Sequence, residues 1–226
     1  MTTMDVYTEP LFDSAALLTI DMQRDLLDGE PFCVPGTSEV LPQVTLTVEA
    51  FRATGRPLVH LVGLHGAPDD DLDGGRPSDV ISGRGMLQTG SAGSQLAPGV
   101  VPGLKALDAD MLLSGQPQEV WPHESVVYRP RWGAFFQTPL EEHLADCGVT
   151  TVVVAGCDFP HCPRTTVYEA LELDYRVVLV TDAVSGLNIQ WEQELAALGV
   201  ALMTAEEVVA ALLEPILETT LGVCSS

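Results

Sequence analysis

Cys162 is the residue of this sequence best placed to do covalent chemistry. The run from Thr151 to Ala155 is apolar and β-branched, which predicts a buried strand, and Gly156 ends it. Pro163 suits the first turn of a helix, because its fixed φ is helical and its missing N–H needs no acceptor there. Cys162 therefore lies at the cap of that helix. The unpaired N–H groups and the helix dipole there favour the thiolate, which is the nucleophilic form of cysteine.

Arg164 follows two residues later and is expected to add positive charge near the sulfur. The same position also suits an inert cysteine that packs as a small hydrophobic residue, and the spacing alone does not separate the two interpretations. Cys157 and Cys162 do not form the C-x-x-C motif of redox proteins, which argues against a disulfide oxidoreductase.

Two further strand ends carry residues that could act together with Cys162. Asp21 directly follows the apolar run AALLTI, and Arg129 follows SVVY. Ligands of open parallel α/β sheets bind outside the carboxyl ends of the strands, so these side chains are expected at one edge. A carboxylate can take the thiol proton, a fixed cation can hold the thiolate, and the thiolate can attack a carbonyl carbon. Taken singly, the aspartate also suits a helix cap and the arginine a surface ion pair.

The elements that must position these residues alternate along the chain. Helical periodicity predicts helices over 41–54, 139–147, 163–174, 190–198 and 205–213, and short apolar runs predict strands over 15–20, 57–64, 125–128, 150–155, 176–180 and 200–203. Strands rich in Val, Ile and Leu between helices predict an α/β fold whose mostly parallel sheet is covered on both faces.

The segment 65–124 breaks this alternation. It is rich in Gly, Pro, Asp and Ser and is too long for a simple connection, which predicts an irregular insertion that forms a lid, a binding loop or an oligomer contact. It has no continuous core pattern of its own, so residues 1–226 are interpreted as a single domain.

Composition excludes several kinds of partner. The 226 residues carry a formal net charge of −22 with only 10 basic residues, which argues against binding to nucleic acid or to an anionic membrane surface. No secretory signal and no apolar run of about 20 residues is visible. The five cysteines are scattered and odd in number, which is typical of reduced thiols. We expect a cytoplasmic protein.

Three segments resemble the signature blocks of the isochorismatase-like cysteine hydrolases, a superfamily that includes N-carbamoylsarcosine amidohydrolase, nicotinamidase and isochorismatase. They are LLTIDMQRDLL, VVYRPRWGAFFQTPLEEHL and VVVAGCDFPHCPRTTVYEALELDYRVVLVTDAVSGL. The resemblance implies a three-layer Rossmann-like fold around about six mostly parallel strands. It also implies a homo-oligomer that acts on a small-molecule substrate.

The resemblance assigns roles to individual residues. It makes Asp21 the catalytic acid–base and Cys162 the nucleophile. It implies a cis peptide bond between Cys157 and Asp158, which would direct the backbone N–H groups of Asp158 and Cys162 to the substrate carbonyl as an oxyanion hole.

The sequence departs from the family at two points. The third catalytic residue of the family is a lysine, whereas Arg129 stands here and Lys105, the one lysine of the chain, lies in the insertion. An arginine can hold Asp21 and a thiolate but cannot readily give up a proton, so its predicted role is electrostatic. The metal-binding Asp-x-His of nicotinamidases is also missing. His60, His65 and the acidic residues 69–71 do not replace it, so neither a metal nor another cofactor is expected.

Residues near the predicted nucleophile and base are candidates for substrate contact. Gln23 lies two residues beyond Asp21. Aromatic side chains near the site would suit a flat or cyclic substrate, although buried aromatic residues more often serve packing. The aromatic candidates are Trp132, Phe135 and Phe159.

Together these features predict a hydrolase that cleaves a carbon–nitrogen bond of a small amide, ureido or lactam compound through an acyl-enzyme on Cys162. The resemblance also implies one more specific substrate, an antibiotic lactam such as streptothricin, whose ring the enzyme would open. One alternative is hydrolysis of an isochorismate-type vinyl ether, against which the presence of Cys162 speaks. The other is a catalytically silent member with a binding role, which Arg129 motivates.

Overall fold

The computed structural model describes residues 5–66, 85–101, 103 and 106–223. Its strands are β1 Ala15–Ile20, β2 Leu58–Val62, β3 Gln118–Trp121, β4 Glu124–Tyr128, β5 Thr151–Gly156, β6 Arg176–Val184 and β7 Ala201–Met203. Its α-helices are α1 Thr37–Thr54, α2 Ala109–Leu113, α3 Leu140–Asp146, α4 Cys162–Glu172, α5 Ile189–Ala197 and α6 Ala205–Val223. Two short 3₁₀ turns cover Phe12–Ser14 and Arg24–Leu26.

The seven strands form one sheet in the order β3-β4-β2-β1-β5-β6-β7. All neighbouring strands are parallel except β3, which pairs antiparallel with β4. Strand β1 lies at the centre, and every one of its residues is buried. A strand covered on both faces must be apolar at every position, which explains why AALLTI shows no alternation.

Alternate residues of β1 enter two different cores. Ala16, Leu18 and Ile20 pack with α3, α4 and α5 on one face of the sheet. Ala15 and Leu17 pack with α1 and α6 on the other face. The molecule is therefore a three-layer α/β structure, as the sequence predicts.

The structure differs from the prediction within residues 65–124. Strand β3 and the short helix α2 lie in this segment, which we expected to be irregular. Only Gln118 of β3 is fully buried, since β3 is an edge strand. Its order comes from antiparallel pairing with β4 across a tight turn in which His123 has a positive φ of 61°. A four-residue strand with one buried side chain leaves little periodicity for sequence analysis to detect. Residues 67–84 of the segment, with the acidic run 69–71, and Lys105 lie outside the described residues.

In the part of the chain that the structure describes, no helix is both long enough and apolar enough to cross a bilayer.

Candidate active site

The carboxyl edge of the sheet brings Asp21, Arg129 and Cys162 together. Asp21 directly follows the central strand β1, Arg129 follows β4, and Cys162 is the first residue of α4. Arg129 Nη2 donates a short hydrogen bond to Asp21 Oδ2 within a buried ion pair. The Asp21 carboxylate also lies within hydrogen-bonding reach of the Cys162 thiol. The three residues are only 5%, 7% and 8% exposed, so they form one nearly enclosed cluster.

The backbone at the end of β1 directs Asp21 toward this cluster. Asp21 adopts a left-handed conformation with φ 55°, which aspartate tolerates better than most residues. Its backbone N–H donates to the carbonyl of Leu61 at 3.0 Å, which holds the turn against β2. Its side-chain Oδ1 is buried without a hydrogen-bond partner of normal geometry among the described residues. That oxygen is free to accept a proton.

Gly156 permits β5 to approach β1 at the site. Its φ is +127°, and a Cβ placed there would lie 2.1 Å from the carbonyl oxygen of Ile20. Only glycine fits such a close backbone contact. Directly beyond it, the backbone N–H of Cys157 donates to the same Ile20 carbonyl at 2.9 Å. This junction sets the loop that leads to Cys162 directly beside Asp21.

The electrostatics of Cys162 differ from the sequence prediction of a thiolate at the helix start. Burial raises the pKa of the Cys162 thiol well above its ordinary value, and the carboxylate of Asp21 raises it further. The positive charge of Arg129 lowers the pKa but does not cancel these effects. Burial and Asp21 therefore oppose the thiolate that the helix start was predicted to favour.

Arg164 does not supply the predicted positive charge to the sulfur. Its guanidinium group lies 4.0 Å from the centre of the Trp191 ring and 3.5 Å from a carboxylate oxygen of Glu194. The arginine thus joins α4 to α5. The charge of Arg129 behaves differently: burial alone would lower its pKa, but Asp21 and Cys162 raise it above its ordinary value.

The expected cis peptide bond between Cys157 and Asp158 is not present, because the described residues contain no cis peptide bonds. With this peptide bond trans, the backbone N–H groups on either side of Asp158 are hydrogen-bonded within the protein. The N–H of Cys157 is bonded to β1, and the N–H of Phe159 donates to the carbonyl of Ser185 at 2.7 Å. The oxyanion hole formed by the N–H groups of Asp158 and Cys162 stays a prediction.

Gln23 has a structural place instead of the predicted contact with substrate. Its side chain is fully buried, and its amide nitrogen donates to the carbonyls of Gly63 at 2.9 Å and Ser94 at 2.6 Å. Its amide oxygen accepts from the N–H of Gly63 at 2.9 Å. Both amide hydrogens are used, so Gln23 ties the loop around Ser94 to the end of β2.

Phe159 and Phe135 also differ from their predicted role as substrate contacts. Phe159 is fully buried and packs against Trp191, with 6.1 Å between ring centres. Phe135 belongs to the core on the α3–α5 face of the sheet and packs on Tyr175, with 5.7 Å between ring centres. Tyr175 immediately precedes β6 and therefore lies at the opposite end of the sheet from the site. Both phenylalanines serve packing.

Trp132 lies beside the start of α4. Its ring meets the edge of the His161 ring at 5.1 Å between centres, and His161 directly precedes Cys162. His161 Nδ1 lies 2.9 Å from Asp158 Oδ1. These three partly exposed residues flank the nucleophile, so Trp132 is the one predicted substrate contact that is both near Cys162 and partly exposed.

A buried polar network that the sequence analysis missed crosses three strands. Thr19 bonds to His60 Nδ1 at 2.6 Å, and His60 Nε2 lies 2.8 Å from Glu124 Oε1. Arg52 donates two bonds to the Glu124 carboxylate, at 2.8 and 2.9 Å, and a third to the carbonyl of Val100 at 3.0 Å. A histidine within the apolar run LVHLV was the signal available in the sequence. The network joins β1, β2 and β4 to α1.

The network determines the charge state of its members. Burial lowers the pKa of His60, although the bond to Glu124 opposes this. Burial alone would raise the pKa of Glu124, but His60 and Arg52 hold it below its ordinary value. A neutral His60 would donate from Nε2 to Glu124 and accept from Thr19 at Nδ1. Within the described residues, no group of three or more His, Cys, Asp or Glu side chains is arranged to hold a metal ion.

Comparison with known proteins identifies the class to which this fold and site belong. The chain is a member of the isochorismatase family, since the isochorismatase domain matches residues 15–208. It is 32% identical over 173 residues to a probable inactive nicotinamidase of Arabidopsis thaliana, covering 75% of this chain and 80% of the relative. It is 28% identical over 180 residues to nicotinamidase 3 of the same plant, covering 80% and 77%.

The solved structures agree with this assignment. The crystal structure of an isochorismatase family protein from Desulfovibrio vulgaris subsp. vulgaris str. Hildenborough is similar with a TM-score of 0.71 and 29% identity. The match covers 88% of this chain and 98% of that one. The family resemblance and the fold class predicted from the sequence are thereby confirmed, with one strand more than expected.

Proposed function

We propose that this protein is a cysteine hydrolase that cleaves a carbon–nitrogen bond of a small amide, ureido or lactam compound. The observation that carries the proposal is the position of the Asp21 carboxylate, which is paired with Arg129 and within reach of the Cys162 thiol. The similarity to nicotinamidase 3 supports an amide as the substrate class. The nearly enclosed cluster favours a small molecule.

In the first half of the reaction, the sulfur of Cys162 attacks the carbonyl carbon while Asp21 takes the thiol proton. Transfer during the attack suits a thiol whose pKa is raised, since little thiolate exists beforehand. Arg129 stays charged throughout and offsets the negative charge of the site. Backbone N–H groups at the start of α4 stabilise the oxyanion. Asp21 then returns the proton to the departing nitrogen, which leaves a thioester on Cys162.

In the second half, water resolves the thioester. Asp21, again ionised, takes a proton from the water as the oxygen attacks the acyl carbon. The carbon–sulfur bond breaks, the proton returns to the sulfur, and a carboxylic acid is released, or a carbamic acid if the substrate is a ureido compound. Arg129 donates no proton in either half, because its guanidinium keeps its charge.

The test is the Cys162→Ser variant, with Cys147→Ser as the matched control for an exposed cysteine. Both variants and the wild type are assayed for release of ammonia or amine from a panel of amides, ureas and lactams. The proposal expects Cys162→Ser to lose hydrolysis, the control to keep it, and intact mass spectrometry to detect an acyl adduct on the wild type. Full activity of Cys162→Ser would refute the mechanism, and activity of that variant on isochorismate would revive the vinyl ether alternative.

A catalytically silent member is the second candidate, and two observations favour it. Arg129 occupies the position of the family lysine, and its guanidinium, which cannot readily give up a proton, is hydrogen-bonded directly to the predicted base Asp21. A relative with 32% identity is named a probable inactive nicotinamidase. If the wild type hydrolyses nothing in the panel and Arg129→Lys gains activity, this candidate replaces the first.

A further inference from the structure

The loop between β4 and α3 supports Arg129. We call residues 130–136 the cation loop, because it begins immediately after Arg129. Within it, the carbonyl of Arg131 accepts a hydrogen bond from Arg129 Nη1 at 2.5 Å. The guanidinium is therefore held from two sides, by the Asp21 carboxylate and by this loop. If the loop moves, the cation loses one of its two anchors.

Glu169 holds the other end of the cation loop. Its Oε2 accepts a hydrogen bond from the backbone N–H of Phe135 at 2.8 Å. Its Oε1 lies so close to Gly133 that a Cβ there would be 2.1 Å away. Gly133 has no positive φ, so the site requires glycine for space and not for conformation. The carboxylate is thus seated directly on the loop backbone.

Glu169 belongs to the helix that begins at Cys162. It lies seven residues along α4, which is two helical turns, so both residues face the same side of the helix. At the first turn, the ring contact between Trp132 and His161 joins the same two segments at 5.1 Å. The cation loop is therefore attached to α4 at two points, one beside the nucleophile and one at Glu169.

We propose that Glu169 is a positioning residue that fixes Arg129 relative to the Cys162 thiol by holding the cation loop against α4. The inference rests on the proposed function only in giving Cys162 and Arg129 their roles. The position of Arg129 near the Cys162 thiol does not depend on whether the protein turns over a substrate. Displacement of the loop weakens the effect of Arg129 on the thiol, whereas Asp21 and Cys157, which also act on the thiol, keep their places.

The experiment measures how fast iodoacetamide alkylates Cys162 as a function of pH, with peptide mass spectrometry to separate Cys162 from the exposed cysteines. Glu169→Ala removes the acceptor, and we expect alkylation near neutral pH to fall about tenfold, because one pKa unit changes the thiolate fraction tenfold. Glu169→Gln keeps an oxygen that accepts from Phe135, so its pH profile should stay close to that of the wild type. The matched control is Glu172→Ala, at an exposed glutamate of the same helix.

Gly133→Ala tests the contact from the loop side and keeps the proposal testable if Glu169→Ala does not fold. We expect Gly133→Ala to shift the alkylation profile in the same direction as Glu169→Ala. Alkylation of the double variant, Gly133→Ala with Glu169→Ala, should be no slower than that of Glu169→Ala alone, because the Glu169 carboxylate that the added methyl group would clash with is then absent. Where a hydrolysed substrate is found, kcat should fall about 10–100-fold with KM less affected, as expected for a misplaced charge.

Two results overturn the proposal. One is a Glu169→Ala profile that matches that of Glu172→Ala, even if the melting temperature falls, since the glutamate is then structural only. The other is Glu169→Gln being as impaired as Glu169→Ala. Absence of any hydrolysis with the expected shifts in alkylation would refute the proposed function and leave the role of Glu169 standing.

Discussion

Among the described residues, the Arg52–Glu124 and Asp21–Arg129 pairs each contain a buried carboxylate, and they differ in how completely they are hydrogen-bonded. In the network below the site, Arg52 binds Glu124 through two nitrogens, and the same carboxylate accepts from His60. At the carboxyl edge of the sheet, Asp21 Oδ1 and Arg129 Nε are both buried without a hydrogen-bond partner among the described residues.

The difference separates a structural pair from a reactive one. A buried polar atom without a partner carries an energetic cost, so most such atoms in native proteins are bonded. The Arg52–Glu124 pair meets that rule and fastens α1 to β4. The Asp21–Arg129 pair departs from that rule beside the Cys162 thiol. We therefore expect a substitution in the Asp21–Arg129 pair to lower mainly activity, and the matched substitution in the Arg52–Glu124 pair to lower mainly stability.

The largest effect is expected for Asp21→Asn. Asparagine keeps the shape and can still accept from Arg129, but it cannot take the thiol proton. We expect kcat/KM to fall about 10²–10⁴-fold, the usual contribution of a general base. Activity is measured on the first substrate found in the panel and normalised to folded protein by circular dichroism. Retention of near wild-type activity would contradict the role of Asp21 as the base and remove the distinction between a reactive and a structural pair.

Glu124→Gln is the matching change in the structural pair. Loss of the charge leaves Arg52 and His60 without their anion, and removal of one partner of a buried pair costs about 3–5 kcal/mol of stability. We expect urea denaturation to report a loss of this size, while activity per folded molecule stays near that of the wild type. If activity falls while stability holds, the network takes part in the reaction.

A smaller effect is expected on the pH dependence of stability. The pKa of His60 is lowered on folding from its ordinary value of 6.5, so below pH 6.5 the unfolded chain binds a proton that the folded chain does not. Stability must then decrease as the pH falls from 6.5 toward the folded pKa, with a slope of up to about 1.4 kcal/mol per pH unit. The pKa of Glu124 is also lowered on folding, so protonation of Glu124 removes further stability at more acidic pH.

His60→Gln removes this titration and should flatten the stability profile between about pH 6.5 and 5. Urea denaturation at a series of pH values measures it. The control is His123→Asn at an exposed turn residue, where asparagine tolerates the positive φ. An unchanged slope in His60→Gln means that His60 is not the group that titrates.

Features of the fold that depend on neighbouring residues alone could be predicted from the sequence. The apolar run AALLTI identifies the central strand because a strand buried on both faces has to be apolar throughout. The residues that follow strand ends, Asp21 and Arg129, could be placed at one edge because parallel strands all end there. Strand β3 was not predicted, because it is ordered by its pairing with β4 and its own residues show no strand pattern.

Features that depend on distant contacts could not be predicted. Gln23 resembles a site residue by its distance from Asp21, but its amide is saturated by Gly63 and Ser94, which no local pattern reveals. The pKa of the Cys162 thiol is raised by burial and by Asp21, and neither effect is visible in the residues around Cys162 in the sequence. The contact of Glu169 with Gly133 joins two segments whose spacing along the chain carries no signal.

The junction at Gly156 has a consequence for how such a site can change over time. Asp21 follows β1 and Cys162 lies a short loop beyond β5, and the main chains of these two strands are in direct contact at Gly156. Their separation is therefore set by backbone atoms that every sequence shares. We therefore expect substitutions on the walls of the site to change which ligand fits while Asp21 and Cys162 keep their separation.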